Sequence, residues 1–199
     1  GAGEDINLLI VLFPKMRSVR EKYTEYHTYP LSIIRVNDTL ITVCKETPSF
    51  LTHIMNNESF KNEPATTQHH IILYILWELT RSFIRHLREI DGIIEDLQIQ
   101  ITSATHNEYF YKLIALHKSL VYFETSINKN HPLITESIHE AVLGDDVQSQ
   151  ELLRDITDIS NQAEVMVTES SKMIDQLSEV FSSVITNNLN NIMKVLTSI

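Results

Sequence analysis

Asp145–Ile199, DDVQSQELLRDITDISNQAEVMVTESSKMIDQLSEVFSSVITNNLNNIMKVLTSI, contains neither glycine nor proline. Gly144 precedes it, and Asp145-Asp146 supply an N-cap and an acidic first turn for a helix. About 55 residues at about 1.5 Å each give roughly 80 Å, more than the diameter of a domain this size. Leu152, Ile156, Ile159, Ala163, Met166, Ile174, Leu177, Phe181 and Val184 step by threes and fours along one face, with Ser170 as its polar break. Such a helix needs partners along its whole length. Its final turn carries no Gly, Pro or cluster of cations, so the helix is expected to continue past Ile199.

Upstream lie two more long helical stretches, about residues 66–102 and 108–140, interrupted only by Gly92 and Pro132. The short reversal Ser103–Asn107 makes them an antiparallel hairpin, with Leu113, Leu116, Leu120 and Phe123 as the facing stripe. A short helix is expected at about residues 49–57, after Pro48. Strand signals are confined to the first third. Asn7–Phe13 is a dense apolar run stopped by Pro14, and Leu31–Val36 and Thr39–Lys45 are β-branched segments flanking an Asn37-Asp38 turn. The Ile6–Phe13 strand reads as buried on both faces, which three strands alone hardly supply. The expected class is α+β, predominantly helical: a partial sheet and short helix over 4–64, a helix pair over 65–143, and a stalk helix over 144–199.

Composition narrows the function. The 199 residues are 43% hydrophobic and 21% charged, ordinary values for a globular protein, with a formal net charge of -10. That charge argues against nucleic-acid binding, which needs clustered Lys and Arg, and suits cations better. The lone Cys44 cannot form an internal disulfide. No window approaches the roughly 18 apolar residues of a membrane span.

Several segments together resemble the CorA family of divalent-cation channels. Asn190–Leu196, NNIMKVL, is similar to the family's approach to its first transmembrane helix; Leu153-Arg154-Asp155 with Asp158 and Gln162 is similar to the start of its stalk, in one ungapped register with Met193. Ile71-Ile72-Leu73-Tyr74 and Arg88-Glu89-Ile90-Asp91 with Ile94-Glu95-Asp96-Leu97 resemble its "willow" helix pair. Leu31-Ser32-Ile33-Ile34 and Leu40-Ile41-Thr42-Val43 resemble its hairpin. The chain stops before the family's Gly-Met-Asn signature and begins inside the sheet of its cytoplasmic domain. An apolar helix of about 20 residues ending in Gly-Met-Asn is the expected continuation.

The resemblance implies a homopentamer in the membrane of the cell, with this portion on the cytoplasmic side and five stalk helices around a pore. It places Glu179 in an acidic ring that concentrates hydrated Mg²⁺, or Co²⁺, and Asp155 at a regulatory Mg²⁺ site between subunits. Asn190 lies eleven residues beyond Glu179, close to three turns, and so on nearly the same, pore-facing side. Met193 and Leu196 match the family's apolar constriction, which excludes hydrated ions by dewetting. Asp158, Glu95 and Asp96 are expected to be solvated charges.

Other readings are weaker. Zinc could use His69-His70, or His131 with His139, but there is no cysteine pair and the nine histidines are scattered. Zinc-transporting relatives nevertheless share the CorA architecture. A di-iron bundle enzyme needs two Glu-x-x-His pairs, and only Glu136 with His139 fits. A coiled-coil adaptor or tether would explain the long helices without any ion.

Overall fold

The computed structural model describes residues 6–19, 23–57, 68–103, 106–137 and 146–199. Its elements are β1 (Ile6–Val19), β2 (Tyr23–Val36), β3 (Thr39–Cys44), α1 (Ser49–Asn56), α2 (Gln68–Gln100), α3 (His106–Pro132), a π-helical turn at Leu133–Ser137, and α4 (Val147–Thr197). The three strands form an antiparallel sheet in the order β1-β2-β3. The class is α+β and predominantly helical, as expected.

The sheet is longer than the sequence suggested, because neither proline interrupts it. Pro14 was expected to end the first strand, yet β1 runs on to Val19 in register with β2, with Pro14 opposite Thr28. Leu12 explains why. Its N–H donates to Asn130 Oδ1 at 2.9 Å and its carbonyl accepts from Asn130 Nδ2 at 2.7 Å, so both groups point away from β2. Two residues on, the nitrogen of Pro14 faces the same way, where a missing donor breaks no ladder bond. Pro30, opposite Leu12, aims its nitrogen toward β3 but lies one residue beyond the last β2–β3 pair, Leu31 with Cys44. The second strand therefore begins at Tyr23 rather than Leu31. Asn37 takes the left-handed conformation at φ 51°, which an asparagine tolerates, and closes the β2–β3 turn as expected.

The first strand is not buried on both faces within this chain. Val11 and Phe13 are fully buried while Leu8 is 59% and Ile10 is 51% exposed. On that open face Leu8 and Ile34 stand opposite each other, as do Ile34 and Ile41. The other face packs on the helices, with Phe13 edge-on to Phe50 of α1 at 6.2 Å.

Gly92 leaves α2 a single helix. Pro132 ends α3 proper, since its ring cannot continue the α-helical ladder, and the chain passes into the π-helical turn; the rest of the expected helix, residues 138–140, lies outside the described residues. Leu113, Leu116, Leu120 and Phe123 are all buried. They face something different from what the hairpin reading implied: α2 and α3 touch each other little, α2 lies chiefly against α4, and α3 is shared between the sheet and α4. One core results. It begins beneath the sheet, where Phe123 meets Tyr26 at 5.6 Å and Phe83 at 5.2 Å, and continues down the helices to Phe181.

Polar anchors fix α3 on the sheet. Ser119 Oγ accepts the Tyr26 N–H at 2.9 Å while donating to the Ala115 carbonyl, Ser126 Oγ donates to Thr28 Oγ1 at 2.7 Å, and Asn130 holds Leu12. All three are nearly fully buried, so each bond replaces one otherwise made with water.

Candidate functional site on the stalk helix

The stalk helix α4 is capped by Asp146, whose carboxylate accepts the Ser149 N–H at 3.2 Å; the other expected cap residue, Asp145, lies outside the described residues. Its buried stripe is Ser149, Leu153, Ile156, Ser160, Ala163, Val167, Ser170, Ile174, Leu177 and Phe181. These positions alternate steps of four and three without a fault, a heptad seam that makes the hairpin and stalk wrap gently about each other. The expected face differs in part. Leu152, Ile159 and Met166 are only half-buried beside the seam, and Leu153, Ser160 and Val167, each one position on, occupy its centre.

Three residues of the seam are serines rather than the one anticipated. Ser170 Oγ lies 2.6 Å from Asp91 Oδ1 of α2 and 2.9 Å from the Met166 carbonyl. Ser160 Oγ lies 3.0 Å from His131 Nδ1 of α3. Ser149 Oγ is buried without a hydrogen-bond partner.

The five residues singled out from the sequence all lie off this seam. Glu179 stands five residues beyond Ile174 and Asn190 nine beyond Phe181, which puts each roughly opposite the buried face, at about 140° and 180°. Asp155, one residue before buried Ile156, sits on a flank. All three side chains are exposed, as are Asp158, Glu95 and Asp96. Met193 is 59% and Leu196 is 62% exposed. The helix keeps Asn190, Met193 and Leu196 as neighbours at steps of three, but it does not bring Asp155 or Glu179 to them, for Asp155 and Glu179 are themselves separated by about 36 Å of helix. Among the described residues no group of three or more metal-ligating side chains gathers at one place.

Beyond Phe181 the seam ends, and every residue from Thr186 to Ile199 is exposed. The last contact with the hairpin there is a 3.4 Å approach of Asn188 Nδ2 to His106 Nε2. Just before it, Tyr109 stacks on Phe181 at 4.6 Å and donates its hydroxyl to the Leu97 carbonyl at 3.0 Å, tying the end of the hairpin to the stalk. Past that clamp α4 projects alone, carrying Leu189, Ile192, Met193, Val195, Leu196 and Ile199, each more than half exposed. Bare apolar surface of this kind calls for a partner. Along its length α4 bears seven carboxylates against three cations, so its open face is negative. Among the described residues no helix is long and apolar enough to cross a membrane.

The zinc alternatives do not assemble. His69 Nδ1 lies 3.4 Å from Arg35 Nη1, and burial, with that cation close by, lowers its pKa. His70 Nε2 is instead 2.9 Å from Asp146 Oδ2. His131 meets Ser160, while His139 lies outside the described residues and takes the Glu136 pair with it.

A sheet-anchored helix pair laid along a projecting stalk is an architecture with solved counterparts. The profile of the CorA-like Mg²⁺ transporter protein family matches residues 3–199, and the chain belongs to that family. It is 24% identical over 129 residues to the cobalt/magnesium transport protein CorA of Methanocaldococcus jannaschii, covering 65% of this chain and 41% of that one. The complete structure of the M. jannaschii CorA magnesium transporter superposes with a TM-score of 0.80 at 22% identity, over 99% of this chain and 61% of that chain. The cytoplasmic domain of ZntB from Vibrio parahaemolyticus matches with a TM-score of 0.60 at 11% identity, over 92% of this chain and 70% of that one. The chain thus spans less than half of its CorA sequence relative and about three fifths of the solved one.

Proposed function

We propose that this chain is the cytoplasmic sensing and gating part of a CorA-like channel for Mg²⁺ or Co²⁺, working as a homopentamer anchored in the cell membrane by helices outside this sequence. The observation that carries the proposal is the open side of α4: its seam is filled by α2 and α3, yet Glu179 and Asn190 remain exposed on the opposite side and Met193 and Leu196 beyond it. Five parallel copies would turn that side toward an axis. A single exposed glutamate holds a divalent cation weakly, whereas five around an axis make a strong local field for a hydrated ion. In the same arrangement Asn190 lines the pore, and Met193 and Leu196 form the apolar constriction.

Asp155 is assigned the regulatory Mg²⁺ between subunits. It offers one exposed carboxylate on the flank of the stalk, a hard-oxygen donor suited to Mg²⁺, and must be completed by an acid from a neighbour. Bound metal then selects the closed arrangement, and its loss frees the subunits to move and the constriction to wet. In the full-length protein, Asp155→Lys should raise the Mg²⁺ concentration needed for protection against proteolysis about tenfold, equivalent to ~1.4 kcal/mol. Unchanged protection would remove Asp155 from the role. The likeness to the ZntB domain supports zinc as the second reading for the transported ion, separated from the first by comparing Zn²⁺ and Mg²⁺ uptake.

A further inference from the structure

Phe181 is the last buried residue of the stalk seam, and its two neighbours in sequence leave it on opposite sides. Ser182 turns about 100° toward α3, and Val180 turns about 100° away from it. On the α3 side the surface is hollow. A groove of about 210 Å³ runs between α3 and α4, floored by Leu113 and Phe181 and walled by Phe110, Ile114, Ser178 and Ser182. His117 and Lys118 border it, but each already faces a carboxylate, Asp175 at 4.0 Å and Glu25 at 3.0 Å. What the groove offers is therefore mainly apolar, with Phe110 51% and Ile114 40% exposed. On the opposite flank of the same stalk Val180 is 49% exposed.

Knob and groove lie at one height. A rotation that relates copies of the stalk around a common axis leaves every residue at its own height along that axis. With the side opposite the seam turned to the axis, the two neighbours in a five-membered ring stand about 126° from the seam on either side. Val180, about 100–120° from the seam, points at one neighbour, and the groove opens beside the other. Charge agrees with this pairing. The groove-side flank of α4 carries Lys172, Asp175 and Glu179, while the flank that would face it presents the uncharged Met173, Gln176 and Val180 and one acid, Glu169. Glu169 and Lys172 differ in height by about 4.5 Å, which is within reach of an ion pair between packed parallel helices.

Resting on the pentameric reading above, we propose that the α3–α4 groove is a seat for the next copy of this chain. It receives Val180 of that copy, and Lys172 beside it pairs with Glu169 of that copy. Each copy offers its groove to one neighbour and its Val180 to the other, a head-to-tail contact that is completed by closing a ring. The hairpin then braces two stalks, its own along the seam and its neighbour's through Phe110 and Ile114.

The test is cross-linking of the full-length protein, cleared of other cysteines and carrying Ile114→Cys together with Val180→Cys. Both side chains are exposed, so the substitutions spare the core. Because the two positions lie on opposite flanks of one stalk, a short bismaleimide joins them only between copies. The pair should give a ladder on a denaturing gel that ends at five chains, and either single substitution should give none. Asn190→Cys alone, near the axis, reports the ring itself. Cross-linked Asn190→Cys with no ladder from the pair would mean that something other than a second copy fills the groove, overturning the seat while the pentamer stands. A ladder that stops at two chains would show a two-fold contact and overturn the seat as well. No cross-link from either would remove the pentameric reading and the seat with it. Lys172→Glu should lower the yield of the ladder about threefold, and adding Glu169→Lys should restore it. A yield that neither substitution alters would remove the Lys172–Glu169 pair from the proposal.

Discussion

Glu25 shows how much one side chain can settle in this fold. It is 7% exposed on β2, yet its carboxylate is within hydrogen-bond reach of both Lys118 Nζ, at 3.0 Å, and His27 Nε2, at 2.7 Å. Burial pushes its pKa upward, but the Lys118 and His27 hydrogen bonds outweigh burial and leave the group below the usual carboxylate range. A carboxylate with a depressed folded value stabilises the protein above its unfolded pKa, and that stability is lost as pH falls. Glu25→Gln should therefore flatten the loss of stability below about pH 5, read from urea midpoints measured between pH 4 and pH 7. An acid limb as steep as that of the wild type would show that Glu25 is not its source. Nothing in the local sequence marks this residue, because Lys118 lies 93 positions away and reaches it only once α3 lies on the sheet. Asn130 was hidden in the same manner: read alone, it is a polar residue near a helix end, and its use is to pair with the edge of β1 at Leu12.

Among the elements, α4 was the most legible and β1 and β2 the least. A 3.6-residue period that persists without Gly or Pro leaves little choice but a helix, and both the Asp146 cap and the seam follow from it. The seam was misplaced by one position at Leu152, Ile159 and Met166, where the residue that follows each, Leu153, Ser160 and Val167, is the one buried. Ala163 and Ser170 were placed correctly, whereas Ser160 was passed over for Ile159 because its place in the seam is set by its neighbours rather than by hydrophobicity. The strands were cut short at Pro14 and Pro30, since proline ends a strand only when its nitrogen faces a paired neighbour, and that depends on register. Gly92 offers a test at this scale. A Cβ added there meets nothing within 4 Å, and α2 remains helical through it. Gly92→Ala should accordingly raise unfolding stability by about 0.5–1 kcal/mol in urea titration. A loss of stability would mean that the glycine serves a bend or a contact that α2 makes elsewhere.

At the scale of the whole molecule, the chain is organised around a helix longer than the body that holds it. The sheet and α1 form a head, α2 and α3 run from it along one side of α4, and the Tyr109–Phe181 stack marks where that support ends. Beyond the Asn188 approach to His106, the residues from Leu189 to Ile199, about 16 Å of helix, continue alone with an apolar surface. The element order and the motif Asn190–Leu196 carried the family assignment in the sequence itself. How the candidate residues gather was not legible there, because one copy of the chain keeps Asp155, on the flank of α4, apart from Glu179 and Asn190 on its open side. Placing that side around a common axis is the central claim. It is tested most directly by spin-labelling Asn190→Cys in the full-length protein, with Cys44→Ser as background, and measuring distances between subunits by pulsed electron resonance. Labels on helices packed around one axis should lie within about 20 Å of one another, two interhelical spacings, and move apart when Mg²⁺ is withdrawn. No dipolar coupling between subunits at this position, with or without Mg²⁺, would contradict the account.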